Sequence, residues 1–150
     1  MPITINGSGT VTGISAGGLP DGVITTDDIA ANAVTYAKIG TTEQGQLCKA
    51  WVNFNGTGTV AIRQGYNVSS ITDNGTGDYT INFTNAMPDA NYGVAGTASG
   101  SSSRPQYAVA TAWDTAPTAS ALRVYFGATG SDLQNGANYD STYVSIAIFR

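Results

Sequence analysis

The chain has no histidine, and this absence removes a large class of hydrolases. Ser and Cys hydrolases usually depend on an imidazole as general base, so a Ser-His-Asp arrangement cannot form. A glycosidase would need two carboxylates across a cleft. The acidic residues mostly stand beside turn-forming residues, where an Asp oxygen usually caps a turn; they are Asp21, Asp27, Asp28, Glu43, Asp73, Asp78, Asp89, Asp114, Asp132 and Asp140. We therefore predict that the chain is not an enzyme.

Cysteine is almost absent as well. The single Cys48 excludes an intrachain disulfide and a cysteine-built metal site. We interpret it as a small half-buried strand residue, since only Lys49 is nearby to activate the thiol. The stretch Asp73–Asp78 supplies oxygen ligands and a glycine, but it lacks the spacing and closing Glu of a defined calcium loop. No metal and no other cofactor is predicted.

Charge is scarce and apolar runs are short. Charged residues make up 11% of the chain, and the formal net charge is -4. Scattered Lys and Arg residues form no basic patch, so neither nucleic acid nor an anionic membrane surface is an expected partner. No apolar run approaches the roughly 18 residues that cross a bilayer. Because Met1–Gly9 lacks the blocks of a secretory signal, we expect assembly in the cytosol.

Strand and turn formers are abundant instead, including 19 glycines. From Leu47 onwards, apolar and β-branched runs alternate with turns such as Asn55–Gly58 and Asp73–Gly77, at spacings typical of a sandwich. The pattern predicts an all-β fold with an antiparallel β-sandwich over residues 46–150. The predicted strands number about seven: Leu47–Phe54, Thr59–Tyr66, Asp78–Thr84, Tyr92–Ala98, Gln106–Trp113, Ala121–Gly127 and Thr142–Phe149.

Residues 1–45 have a different pattern and are predicted to form an extended stalk and attachment segment. Ile3–Ile14 alternates like a short strand or hairpin, and Ala16–Gly22 is a cluster of turn residues. A weak repeat of about ten residues then aligns Asp21–Ile29 with Ala31–Ile39. Each copy has a turn-prone residue, a β-branched residue, a Thr suited to capping a helical turn, and a closing Ile.

Two copies of this repeat cannot enclose a core. Burying each apolar side chain is worth about 1.5 to 3 kcal/mol, so packing against neighbouring chains is favourable. The predicted oligomer and attachment residues are Val23, Ile24, Ile29, Val34, Tyr36 and Ile39. A short amphipathic helix over Asp27–Lys38, lying on its own domain, is the alternative, and the sequence does not decide between them.

Two sets of segments have a recognisable pattern: the first is Lys49–Thr59, Ser69–Phe83, Ala86–Tyr92 and Val144–Phe149, and the second is Gly18–Thr25 and Ala33–Ile39. The first set resembles the C-terminal domain of bacteriophage tail-fibre and related tail proteins, and the second set resembles the repeats of fibre shafts. The resemblance implies a sandwich head on a short stalk, usually a homotrimer, located in the virion tail. It also implies attachment by the N-terminal part to tail, neck or baseplate proteins, and exposure of the C-terminal part to the host surface. The near absence of a shaft leaves decoration of the neck, collar or baseplate as an alternative.

Contacts with a bacterial surface glycan or protein are expected from exposed loops. Trp113 and Tyr139 lie in or beside polar loops, where an aromatic ring can stack on a sugar. The loops that contain Arg104 and Asp132 are further candidates. Core or interface packing of the two aromatics, and plain linkers for the two loops, are the alternatives.

The sequence thus predicts a structural virion component, a tail-fibre subunit that serves host-cell attachment. A free carbohydrate-binding module or lectin without a virion would share the strand pattern and the aromatic content. The N-terminal repeat separates the two, because a free lectin has no need for a segment that cannot bury its own apolar side chains.

Overall fold

Residues 4–5, 11–12, 24–101, 104–128 and 138–150 are described by the computed structural model. The chain divides into two units, residues 1–40 and residues 41–150. This division falls before Thr41, so the short helix α1, Thr41–Gln46, belongs to the second unit. The predicted boundary after residue 45 instead places all of this helix except Gln46 at the end of the attachment segment. Within the described ranges, no helix is long and apolar enough to cross a membrane.

The first unit contains a pair of short strands within the segment Ile3–Ile14, for which a short strand or hairpin is predicted. Strand β1, Thr4–Ile5, pairs antiparallel with β2, Val11–Thr12. In the part of this segment that the structure describes, Thr4 pairs with Thr12 and Ile5 with Val11, and two such pairs do not form a stable sheet alone.

The ten-residue repeat appears in the structure as two 3-10 turns at equivalent positions, Thr26–Asp28 and Tyr36–Lys38. In the first copy the Thr25 backbone N–H and hydroxyl both donate to Asp28 Oδ2, at 2.9 and 2.8 Å. These bonds lower the pKa of Asp28. The alternative of one helix over Asp27–Lys38 is wrong. Asn32, between the turns, has a φ of 65°, a left-handed conformation that ends a right-handed helix.

The second unit confirms an all-β sandwich. Its strands form the hydrogen-bonded order β4-β3-β10-β7-β8-β9-β6-β5, antiparallel throughout. Their bounds are β3 Cys48–Asn55, β4 Ala61–Tyr66, β5 Val68–Gly75, β6 Asp78–Phe83, β7 Gly93–Ser101, β8 Arg104–Thr111, β9 Ala121–Ala128 and β10 Val144–Phe149. Cys48 is half-buried at the start of β3, as predicted, and its thiol lies 3.1 Å from the Ala50 carbonyl.

The number of strands differs from the prediction, because β5 was missed. Its residues are mostly polar and exposed, with only Val68 and Ile71 packed against the core. A polar strand at the edge of the order has no apolar alternation to reveal it. It is nevertheless fixed by pairing with β6, in which Ile71 lies opposite Ile81.

Two four-stranded halves face each other across the core: the first half is β4-β3-β10-β7, and the second half is β8-β9-β6-β5. β7 and β8 pair only near their hairpin, from Ala98 opposite Tyr107 to Ser101 opposite Arg104. Beyond that point each strand stays with its own half, β7 with β10 and β8 with β9. The inward residues of both halves form one core: Ala50, Val52, Phe54, Tyr79, Ile81, Phe83, Met87, Leu122, Val124, Phe126, Val144, Ile146 and Ile148.

The antiparallel order gathers the connections at two ends of the sandwich. At the entry end, where β3 begins, lie the β4–β5, β6–β7 and β8–β9 connections. At the far end lie the β3–β4 loop, the β5–β6 turn, the β7–β8 hairpin and the β9–β10 connection.

A bidentate ion pair crosses the outer surface of the second half. Arg123 Nε donates to Asp78 Oδ1 at 2.8 Å, and Arg123 Nη2 donates to Asp78 Oδ2 at 2.6 Å. The Asp78 side chain is largely buried, so water screens the pair less than a fully exposed one. The guanidinium lowers the pKa of Asp78 below its ordinary 3.8.

We expect this pair to make the sandwich sensitive to acid. Because the folded pKa is depressed, the pair stabilises the fold above pH 3.8, and the contribution is lost as pH falls through the folded value. Asp78→Asn should therefore flatten the fall in unfolding free energy between about pH 4 and pH 2, measured by urea denaturation. Asp89→Asn, which removes the more exposed pair with Arg150, is the control and should flatten it less. An unchanged acid profile in Asp78→Asn would rule out this role.

Candidate binding site

Two rows of side chains cross the outer face of the first half. Alternation along β3 buries Ala50, Val52 and Phe54 and turns Trp51 and Asn53 outwards. Register then places Trp51 beside Ala147 of β10, which lies beside Ala95 of β7. The second row is formed in the same way by Asn53, Ser145 and Thr97.

These rows line an open groove of about 380 Å³. Trp51, 38% exposed, is its only aromatic side chain among the described residues, and small side chains from β7 and β10 lie next to it. Three neighbouring strands at about 4.8 Å spacing make the groove roughly 10 Å wide. Small side chains beside a large ring create the concavity, because a larger residue in place of Ala95 or Ala147 would fill it. The residues that define the groove are Trp51, Asn53, Ala95, Thr97, Ser145 and Ala147.

The polar atoms of the groove are neutral and include both donors and acceptors. Asn53 Nδ2 donates to the Val144 carbonyl at 3.2 Å and to Ser145 Oγ at 2.8 Å. Both amide protons are thereby used, and Asn53 Oδ1 is the acceptor of this side chain. Ser145 Oγ accepts from Asn53, and its hydroxyl proton is the donor of this side chain. No charged residue lies among the described residues that line the groove.

The neighbouring edge strand extends the polar and aromatic character of this face. Tyr66 of β4 lies opposite Trp51, and Gln64 lies opposite Asn53. The Arg63 guanidinium lies over the Tyr143 ring, 4.4 Å from its centroid, in a cation–π contact. An exposed charged side chain on an edge strand also disfavours pairing with a further strand.

A second cluster of polar contacts closes the far end of the sandwich. The fully buried Tyr79 places its hydroxyl 2.7 Å from the Gly56 carbonyl and 2.6 Å from Asp140 Oδ1. The Gly77 N–H donates to the same Asp140 oxygen at 2.8 Å. Burial, followed by the Asp140 carboxylate, raises the pKa of Tyr79. The Tyr79 hydroxyl therefore stays protonated. Its contacts link the β3–β4, β5–β6 and β9–β10 connections, so the role of this cluster is structural.

Two of the four residues predicted to contact a receptor, Trp113 and Tyr139, lie at opposite ends of the sandwich. Trp113 follows β8 at the entry end and is 89% exposed. Tyr139 lies at the far end, where its N–H donates to the Phe126 carbonyl at 3.0 Å. Arg104 begins β8 at the far end, but its side chain lies outside the described residues, as does the whole of Asp132. Trp113 and Tyr139 therefore do not belong to one site, and a receptor role for each of the four stays a prediction.

The predicted oligomer residues are largely exposed in the single chain. Ile24 is 52% exposed, Ile29 44% and Val34 59%, whereas Ile39 is half-buried. Val23 and the side chain of Tyr36 lie outside the described residues.

Trp51 was not among the candidates chosen from sequence, because an aromatic residue on a strand belongs to the core by default. The alternation itself contains the signal. Ala50, Val52 and Phe54 share the inward side, so Trp51 must lie outwards with the polar Asn53.

No group of three or more His, Cys, Asp or Glu that could hold a metal ion occurs in the described ranges. Comparison of the chain with protein-family models, curated proteins and solved structures finds no match. The outer-face groove is therefore identified by its geometry alone.

Proposed function

We propose that the chain is a structural, non-enzymatic subunit of a bacteriophage tail fibre. Residues 1–45 anchor it to the particle, and the sandwich over residues 46–150 is displayed towards the host surface. The resemblance of Lys49–Thr59 and Ser69–Phe83 to tail-fibre heads supports the family. The division of roles is supported by an all-β head with its own continuous core, to which the described residues of the first unit do not contribute.

The single observation that carries this proposal is the exposure of the repeat. Ile24, Ile29 and Val34 present large apolar surfaces to water, whereas the core residues identified in the described ranges belong to the second unit. A segment of this kind is stabilised when like segments pack together or dock on another protein. We infer a homotrimer whose N-terminal segments also contact tail, neck or baseplate proteins.

A free lectin is the second candidate, and the outer-face groove is the observation that favours it. A lectin would use the groove but would gain nothing from the exposed repeat. The two functions are therefore distinguished by what the first 40 residues do.

Removal of the first 40 residues should abolish attachment to the particle while leaving the sandwich folded. The shortened chain begins at Thr41, so it keeps α1 and every residue of the core. An antibody raised against the purified chain should label the tails of phage particles that carry the full-length gene, seen by immunogold electron microscopy. Particles made with the shortened gene should carry no label. The control is the circular dichroism spectrum of the purified shortened chain, which should keep its strand signal. Labelling of particles that contain only the shortened chain would contradict the assignment of attachment to this segment.

A further inference from the structure

We propose that the outer-face groove binds a neutral pyranose ring of a bacterial surface glycan, with one face of the sugar stacked on Trp51. The inference deepens the proposed function and rests on it for the source of the glycan. Binding of the sugar itself depends only on the groove.

The chemistry of the groove matches the two kinds of surface on a pyranose. The C–H groups on one face of the ring are apolar and slightly positive, and they fit the negative face of an aromatic ring. The hydroxyls at the ring edge each need both a donor and an acceptor. Asn53 Oδ1 supplies an acceptor and the Ser145 hydroxyl a donor, on the row next to Trp51.

Charge selects a neutral ligand over an acidic one. An anionic sugar would call for Arg or Lys, which bind carboxylates and phosphates. The described residues that line the groove include neither. An acidic saccharide would therefore lose water from its charge without meeting a cationic side chain among the lining residues.

Size and shape favour a small ligand over a second copy of the chain. The volume of about 380 Å³ lies near the lower limit of small-molecule pockets, which span about 300–1,000 Å³. A stable protein interface buries about 1,200–2,000 Å² and has an apolar centre. Here the row next to Trp51 is polar, and the edge strand β4 carries Arg63 and Gln64. A self-interface on this face would bury those groups as well.

The two tryptophans of the chain allow a direct measurement on the full-length protein. In Trp113→Phe, Trp51 is the only indole, and its fluorescence reports on the groove alone. Titration uses the methyl α- and β-glycosides of glucose, galactose, mannose and N-acetylglucosamine. At least one of them should shift the Trp51 emission saturably, with a Kd on the order of 1 mM. Ala95→Leu in the same background fills the groove and should reduce the shift at least about tenfold, whereas Thr84→Leu, an exposed change outside it, should not.

If no glycoside in this panel shifts the emission, or if Ala95→Leu leaves the shift intact, the sugar assignment is wrong. The mass of Trp51→Ala in solution tests self-association. A fall from the parent's oligomer to a monomer would show that the face is an interface between copies, and this too would overturn the proposal. Neither failure alters the particle labelling, so the proposed function can stand when the sugar assignment falls.

Discussion

Replacing Ile24, Ile29 and Val34 together with Asp should convert the oligomer into monomers. Each of these side chains is exposed in the single chain, and each is worth about 1.5 to 3 kcal/mol when buried against a neighbour. Loss of three such contacts per chain, with a carboxylate in place of each, weakens association by at least about 4 kcal/mol per chain. This corresponds to a factor of about a thousand in the association constant. Light scattering after size-exclusion chromatography measures the change directly.

The matched control places the same three charges on exposed residues of the head. Thr59, Thr84 and Ala86 are exposed and lie in connections of the sandwich, so their replacement by Asp changes the net charge equally. This control should keep the mass of the parent. If both triple variants dissociate, general charge repulsion is the cause. If neither dissociates, the repeat does not hold the chains together.

A single methyl group added at Gly77 should destabilise the head by more than about 3 kcal/mol. Gly77 has a φ of 62° in the β5–β6 turn, where a side chain is strained. An added Cβ would also lie 2.6 Å from the Tyr139 backbone nitrogen and 2.7 Å from the Phe126 carbonyl oxygen. Neither atom can move freely, because Tyr139 donates to Phe126, and Phe126 donates to the Gly77 carbonyl.

Gly58→Ala provides the comparison that isolates this crowding. Gly58 has nearly the same φ, 64°, yet an added Cβ there meets no atom within 4 Å. Its cost should be about 1 to 2 kcal/mol, from backbone strain alone. Urea denaturation of both variants gives the difference in unfolding free energy. Equal values would mean that the far-end connections are not packed around Gly77 as described.

Local patterns in the sequence were sufficient to predict most of the fold. The strands that contribute to the core could be predicted from alternating apolar and polar residues, because burial of one side of a strand requires that alternation. β5 shows no such alternation, since it contributes only Val68 and Ile71 to the core and is held by its pairing with β6. The repeat was visible because its two 3-10 turns begin at equivalent positions, Thr26 and Tyr36. The break at Asn32 was not foreseen as the reason why one helix cannot span both.

The candidate site was less accessible to sequence reasoning. Trp51 and Asn53 lie far along the chain from Ser145, and only the pairing of β3 with β10 brings them together. Single-residue patterns can place Trp51 on the outer side of β3, but they cannot name the strand beside it. The Tyr79 contacts with Gly56 and Asp140 are equally non-local. Trp113 and Tyr139 were grouped because both adjoin polar loops, whereas strand direction places those loops at opposite ends.

The central claim is that the leading 40 residues hold several chains together. The most direct test is the mass of the purified, unmodified chain in solution, determined by light scattering across a dilution series. The account predicts three times the chain mass of 15.3 kDa, maintained on dilution. A single-chain mass at every concentration would contradict it.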